Sequence, residues 1–217
     1  GFRFQRDITF PMKKIFIFGF ITSLFTASSS LLITLDLLLI KSLIVENYVK
    51  LYTGYYTAVQ TIARIPFFLM VPINLVLFPI ISRSTFAQNN EETRYYINNG
   101  LRYNLAIMTL IVVLISSSSK EIILIIYSKE YLPAWSSLTV LSVGMLFYSL
   151  LITSSTIISS SGKPKISLII LVIVLISDLI LNYVLIPKYE LIGASISTSL
   201  ASLLGLFIAA GYILSKF

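Results

Sequence analysis

The sequence predicts an all-α fold, a polytopic membrane bundle of six transmembrane helices, and three observations predict it. Of its 217 residues 57% are hydrophobic and 12% charged, with a mean hydropathy of +0.92. An ordinary soluble domain is about 45–50% apolar and about 25% charged. Apolar runs long enough to cross a bilayer recur along the chain with short charged breaks between them. Basic residues also fall unevenly on alternate sides of those runs.

The first span is 15–40. Lys13 and Lys14, then IFIFGFITSLF, then TASSS, imitate a signal peptide, but LLITLDLLLI follows at once. One long span interrupted by hydroxyl residues is the better reading. The chain opens on Gly1 with charges ahead of the first apolar run, which reads as an internal piece of something longer. The second span, 53–82, is unusual. It holds one charge, Arg64, and three prolines, Pro66, Pro72 and Pro79. About 20 apolar residues suffice to cross, so it has length to spare for tilt or a bend at the prolines.

The third span is 101–117, after a polar break, 86–100, that reads as the one sizeable loop. The run 121–127 is too short to cross and reads as an extension or an interfacial turn. The remaining spans are 134–161, 166–187 and 191–214. Tyrosines at segment ends, among them Tyr48, Tyr52, Tyr127, Tyr131 and Tyr189, read as an aromatic belt at head-group depth. Serine-rich patches read as close helix contacts, because small hydroxyl residues let backbones approach.

Ten basic residues fall on the side of both termini: Arg3, Arg6, Lys13, Lys14, Arg83, Arg94, Arg102, Lys163, Lys165 and Lys216. Five fall on the other: Lys41, Lys50, Lys120, Lys129 and Lys188. The positive-inside rule then puts both termini in the cytoplasm. The net charge of +7 reads as loop lysines and arginines against anionic membrane lipids, not as nucleic-acid binding. With no cysteine and no histidine, disulfides, thiol chemistry, His/Cys metal sites and histidine acid–base catalysis are excluded. Neither a phosphate-binding glycine loop nor a nucleophile elbow is present, so no enzyme and no cofactor is expected.

Three charges lie inside spans: Asp36, Arg64 and Asp178. At helical rise they sit about 7–8, 16 and 13 Å from the same face. Charges at like depth on different helices are expected to share a protein interior rather than face lipid. One reading is an ion pair that fixes packing. The other is a polar cavity in which Arg64 meets an anionic head group. The carboxylates would tune it, or Asp36 would take a coupling proton or sodium ion. Gln60, Asn74 and Asn182 are the neutral polar residues at depth, and Asn182 reads as bonding across to a neighbouring helix.

The run DLLLIKSLIVENYVKLYTGYYTAVQTIARIPFFLMVPINLVLFPIIS resembles the oligosaccharide flippase and polysaccharide biosynthesis membrane proteins of the multidrug/oligosaccharidyl-lipid/polysaccharide exporter superfamily. The resemblance lies in Asp36, Tyr55–Ala58, Arg64–Pro66 and Phe78–Pro79, in that order. It continues in SSSGKPK (159–165) and NYVLIPKYELIGASISTSL (182–200). Glu190 stands where a glycine is usual and Ser195 where an alanine is common; neither falls on the residues implied for the site. The resemblance implies the C-terminal lobe of a two-lobe transporter, with an N-terminal lobe as its partner. It also implies alternating access and a lipid-linked oligosaccharide as substrate, bound by Arg64, Asp36, Asp178, Gln60 and Asn74. A cation-coupled multidrug exporter of the same superfamily, and a non-transporting scaffold for polysaccharide assembly, are the alternatives.

Overall fold

The computed structural model describes residues 12–44 and 46–216. Arg3 and Arg6, counted above for orientation, lie outside them. The described residues are almost wholly helical: α1 (Met12–Leu43), α2 (Glu46–Ala63), α3 (Ile65–Phe86), α4 (Asn90–Ser117), α5 (Ser119–Ile126), a 3-10 helix (Lys129–Ala134), α6 (Trp135–Ser160) and α7 (Pro164–Lys216). Five stretches of helix, α1, α3, α4, α6 with its 3-10 lead-in, and α7, are long and apolar enough to cross a membrane.

α7 holds two of the predicted spans. Fifty-three residues of straight helix would run about 80 Å, far beyond a bilayer of about 30 Å hydrocarbon. The chain instead folds back at Glu190, whose φ of 50° and ψ of −125° are not helical. Two contacts require the reversal. Asn182 and Thr198, sixteen residues apart, both reach Asp36. A Cβ on Gly193 would also collide with the Leu185 carbonyl, eight residues back. Residues 164–189 and 191–216 are therefore two legs of a hairpin, each of about membrane-crossing length, beside the four earlier stretches.

The second predicted span is broken at one place. Arg64 separates α2 from α3, two residues before Pro66, whose ring nitrogen has no hydrogen for the preceding turn. α3 then runs through Pro72 and Pro79. The polar break 86–100 is corrected: only residues 87–89 are outside helix, and α4 starts at Asn90. Its start is a side-chain N-cap, with the Asn89 backbone N–H bonded to the Ser84 carbonyl. Asn89 Oδ1 accepts from the Glu92 N–H at 3.2 Å, and Asn89 Nδ2 donates to Glu92 Oε2 at 2.9 Å. At the far end of α6, Gly162 takes φ 84°. Its N–H reaches the Ser159 carbonyl while Lys163 N–H reaches that of Ile158, and Pro164 opens the next helix. That is a Schellman stop with a proline start.

α6 is the most buried helix, packed against α2, α3, α4 and α7. Small and hydroxyl residues make the close approaches possible. Ser159 Oγ donates to Ser167 Oγ at 2.9 Å, and Ser199 lies against Gly144. α1 is the least buried and lies mainly along α7.

Gly193 gives a direct test of the hairpin. Gly193→Ala is expected to destabilise the detergent-purified protein by about 1–3 kcal/mol, since a backbone carbonyl cannot step aside. Gly211→Ala, with nothing within 4 Å of its added methyl, should be neutral or gain up to about 1 kcal/mol from helix propensity. Thermal melting of the two variants side by side reads the difference.

Candidate functional site

Asp36 lies in the later part of α1, wholly enclosed. Its carboxylate accepts three hydrogen bonds from three separate segments. Tyr56 Oη of α2 donates to Oδ2 at 2.7 Å, Thr198 Oγ1 of the second leg of α7 donates to Oδ2 at 2.6 Å, and Asn182 Nδ2 of the first leg donates to Oδ1 at 2.9 Å. An ionised carboxylate is an acceptor only, and donors of this kind make its burial tolerable.

Asp178 stands one helical turn before Asn182, on the same face of α7, and close enough to Asp36 for the two charges to act on one another. It has no exposed surface, and neither carboxylate oxygen has a hydrogen-bond partner. The Asn182 side-chain oxygen is likewise buried and unpartnered. Such a cluster is short of positive charge: three of its acceptor oxygens have nothing donating to them. An unpaired buried carboxylate costs several kcal/mol, so the arrangement calls for a proton or a bound cation. Among the described residues no group of three or more His, Cys, Asp or Glu gathers anywhere. Two carboxylates, an amide oxygen and a hydroxyl form a hard oxygen set that suits a small monovalent ion better than a transition metal.

Arg64 is in the neighbourhood but does not clamp Asp36. Its Nη2 donates to the Ile33 carbonyl at 2.9 Å and to Gln60 Oε1 at 2.8 Å, while Gln60 Nε2 donates to the same carbonyl at 2.8 Å. The side chain is half-buried, and its Nε–H has no partner. Ile33 is three residues before Asp36, so guanidinium and carboxylate meet α1 within one turn of each other. Along the same helix Thr22, Ser23, Thr26, Ala27 and Ser30 line an open groove of about 470 Å³. Asn74 sits elsewhere. It accepts from Thr153 Oγ1 at 2.9 Å within a network that includes Asn104 and Ser149, joining α3, α4 and α6.

Of the residues singled out in the sequence, the structure brings Asp36, Asp178 and Asn182 together, sets Arg64 and Gln60 beside them, and leaves Asn74 apart. Tyr56 and Thr198 are the partners that sequence reasoning missed.

Comparison with known proteins decides the family. Residues 6–216 match the family described as "Lipid II flippase MurJ". The chain belongs to that family. A capsular polysaccharide biosynthesis protein, CapF of Staphylococcus aureus, is 32% identical over 95 residues, 44% of this chain and 24% of that protein. A lipid II flippase MurJ in an inward closed conformation superposes with a TM-score of 0.75 at 21% identity, over 88% of this chain and 41% of that one. An outward-facing multidrug resistance MATE transporter superposes with a TM-score of 0.79 at 14% identity, over 98% and 49%. At those identities the two structures speak for the fold alone. The chain spans less than half the length of the curated relatives it matches. It is a multi-pass membrane protein with the fold of one lobe of a flippase or exporter.

At the turn end of the bundle, just outside the hydrophobic span, Tyr52 Oη donates to Glu190 Oε2 at 2.7 Å. That bond, with partial burial, pushes the phenol up to about 12, so it remains a donor through the physiological range.

The cluster yields a paired prediction. Asp36→Ala leaves the hydroxyls and amide of Tyr56, Thr198 and Asn182 without their acceptor, at about 1–3 kcal/mol each, and should lower the melting temperature sharply. Asp178→Asn removes a carboxylate that has no partner and should melt at or above the parent in sodium-free buffer, while losing any stabilisation that added sodium confers. Melting curves with and without sodium chloride measure both.

Proposed function

We propose that this chain is one lobe of a flippase carrying a polyprenyl-pyrophosphate-linked oligosaccharide across the cell membrane, driven by a proton or sodium ion taken up at Asp36 and Asp178. Both termini lie in the cytoplasm, and an N-terminal lobe closes the cavity. The physical task is to move a charged, hydroxylated head through hydrocarbon while the tail stays in lipid. Helix rocking around a polar route lowers that barrier without any bond being made or broken.

The observation that carries the reading is the separation of charges around one turn of α1. The guanidinium of Arg64 is half-buried, its Nη2 is held by the Ile33 carbonyl and Gln60, and its Nε is enclosed, which leaves Nη1 for a ligand. The carboxylates are sealed behind it. A guanidinium stays charged at any physiological pH and suits a pyrophosphate, to which Nη1 has two N–H groups to donate. A sealed acidic pair suits a small cation and could not reach a bulky one. A multidrug exporter that recognises organic cations would want the opposite arrangement, with a carboxylate facing the cavity. Coupling follows if the ion binds the two states unequally. The donors to Asp36 come from three segments, so occupying or emptying the cluster alters how α1, α2 and α7 are held together.

The test uses the full-length protein in proteoliposomes with a fluorescent polyprenyl-pyrophosphate glycan. Arg64→Ala is expected to cut the flipping rate at limiting substrate by about tenfold or more, as loss of a charged hydrogen bond of about 1.5–3 kcal/mol implies. Asp178→Asn should abolish the response to an imposed sodium or proton gradient. Undiminished flipping in Arg64→Ala would overturn the role given to Arg64, and no flipping by the inserted parent protein would instead favour the scaffold.

A further inference from the structure

The same bundle end carries a feature that transport of a pyrophosphate does not require. Where α7 reverses, Glu190 adopts a left-handed backbone, φ 50° and ψ −125°, that a glycine takes without strain. For a side-chain-bearing residue such a conformation costs about 1–3 kcal/mol and is found where the side chain has work to do. Its carboxylate is not idle. Oε2 accepts from Tyr52, and the residue borders a cavity of about 300 Å³ together with Tyr48, Tyr55, Tyr189 and Ser137.

Ser137 is the second, independent sign. It is 1% exposed, and its Oγ has no hydrogen-bond partner. A buried hydroxyl left unsatisfied on a residue that lines a cavity calls for a polar partner, which a ligand can supply. The tyrosines are spaced 48, 52 and 55, one face of α2, with Tyr48 and Tyr52 ring centroids 6.3 Å apart and Tyr52 and Tyr55 6.4 Å apart. They make a wall and not a box. An aromatic belt would account for each ring singly. It does not account for a strained glutamate between two of them or for the unsatisfied serine.

We infer that this cavity is a sugar-ring subsite, in which a pyranose lies against the tyrosine wall while Glu190 and Ser137 bond its hydroxyls. Aromatic faces take the apolar C–H side of a sugar, and each Tyr hydroxyl adds a polar rim. A carboxylate accepts strong bonds from two neighbouring hydroxyls, and a serine both donates and accepts. A cation cage would have no use for the serine. At about 30 Å³ per water, the cavity holds about ten water volumes, which fits one sugar ring and not a whole glycan. The inference rests on the preceding reading only for its source of sugar, the head group of the carried lipid. A free glycan would offer the same chemistry.

Binding to the full-length protein in nanodiscs, by calorimetry, separates these. The probes are a polyprenyl-pyrophosphate hexose, the sugarless polyprenyl pyrophosphate, and a methyl hexopyranoside. The sugar-bearing lipid should bind at least about tenfold tighter than the sugarless one, and Glu190→Gly should erase most of that ratio. Glycine relieves the backbone, so the variant should melt no lower than the parent, which removes misfolding as the cause. Ser137→Ala should reduce the ratio as well. If only the methyl hexopyranoside binds, and Glu190→Gly abolishes it, the subsite stands with a free glycan as its ligand and the lipid-transport reading fails. If the parent binds sugar-bearing and sugarless lipids alike, or Glu190→Gly leaves the ratio unchanged, the subsite is overturned and lipid transport is untouched.

Discussion

A carboxylate sealed inside a membrane bundle must be supplied with donors, and Asp36 draws them from α2 and from both legs of α7. In hydrocarbon there is no water to substitute for a missing partner. The three bonds thus fix the angle at which α1 meets the rest of the lobe. α1, the least buried of the long helices, is held besides by its packing along α7 and by the Gln60 and Arg64 bonds to the Ile33 carbonyl. What holds the fold together is also what a bound ion would perturb.

α2 connects that cluster to the end of the bundle. Tyr52 and Tyr56, one turn or about 6 Å apart along the axis, each donate to a different carboxylate, Glu190 and Asp36. The two bonds grip the α7 hairpin at its tip and α1 at its inner end. A rigid helix with one hand on each carboxylate cannot shift at one without straining the other. Below them α2 gives way to α3 at Arg64, where the Arg64 N–H to Gln60 carbonyl and Phe68 N–H to Arg64 carbonyl bonds still carry the helical ladder across. That junction is also where the guanidinium gains its half-buried position.

Several local features were legible in the chain. Asn89–Glu92 has the capping-box spacing, and SSSGKPK has the glycine and proline of a helix stop and restart. The polar composition of 86–100 nevertheless suggested a loop, because the charges of a first helical turn look like those of a turn between helices. The partners of Asp36 were hidden for another reason. This chain has 13 tyrosines and many serines and threonines, most serving as belt residues or bonding to their own helix, as Thr22, Thr26 and Thr34 do. Nothing local distinguishes Thr198 from these. Its selection depends on a contact across 162 positions.

By itself the sequence determined that the chain is a helical bundle of a multi-pass membrane protein and which acidic and basic side chains lie within its apolar stretches. Hydropathy, helix length and terminus signals are local quantities, so they can be read locally. The tertiary structure alone decided which buried charges meet. It kept Arg64 off Asp36, left Asp178 without a partner, folded α7 back at Glu190, and sent Asn74 into a separate network. Those outcomes depend on how helices far apart in the chain rotate to pack, and a one-dimensional pattern does not encode that rotation residue by residue.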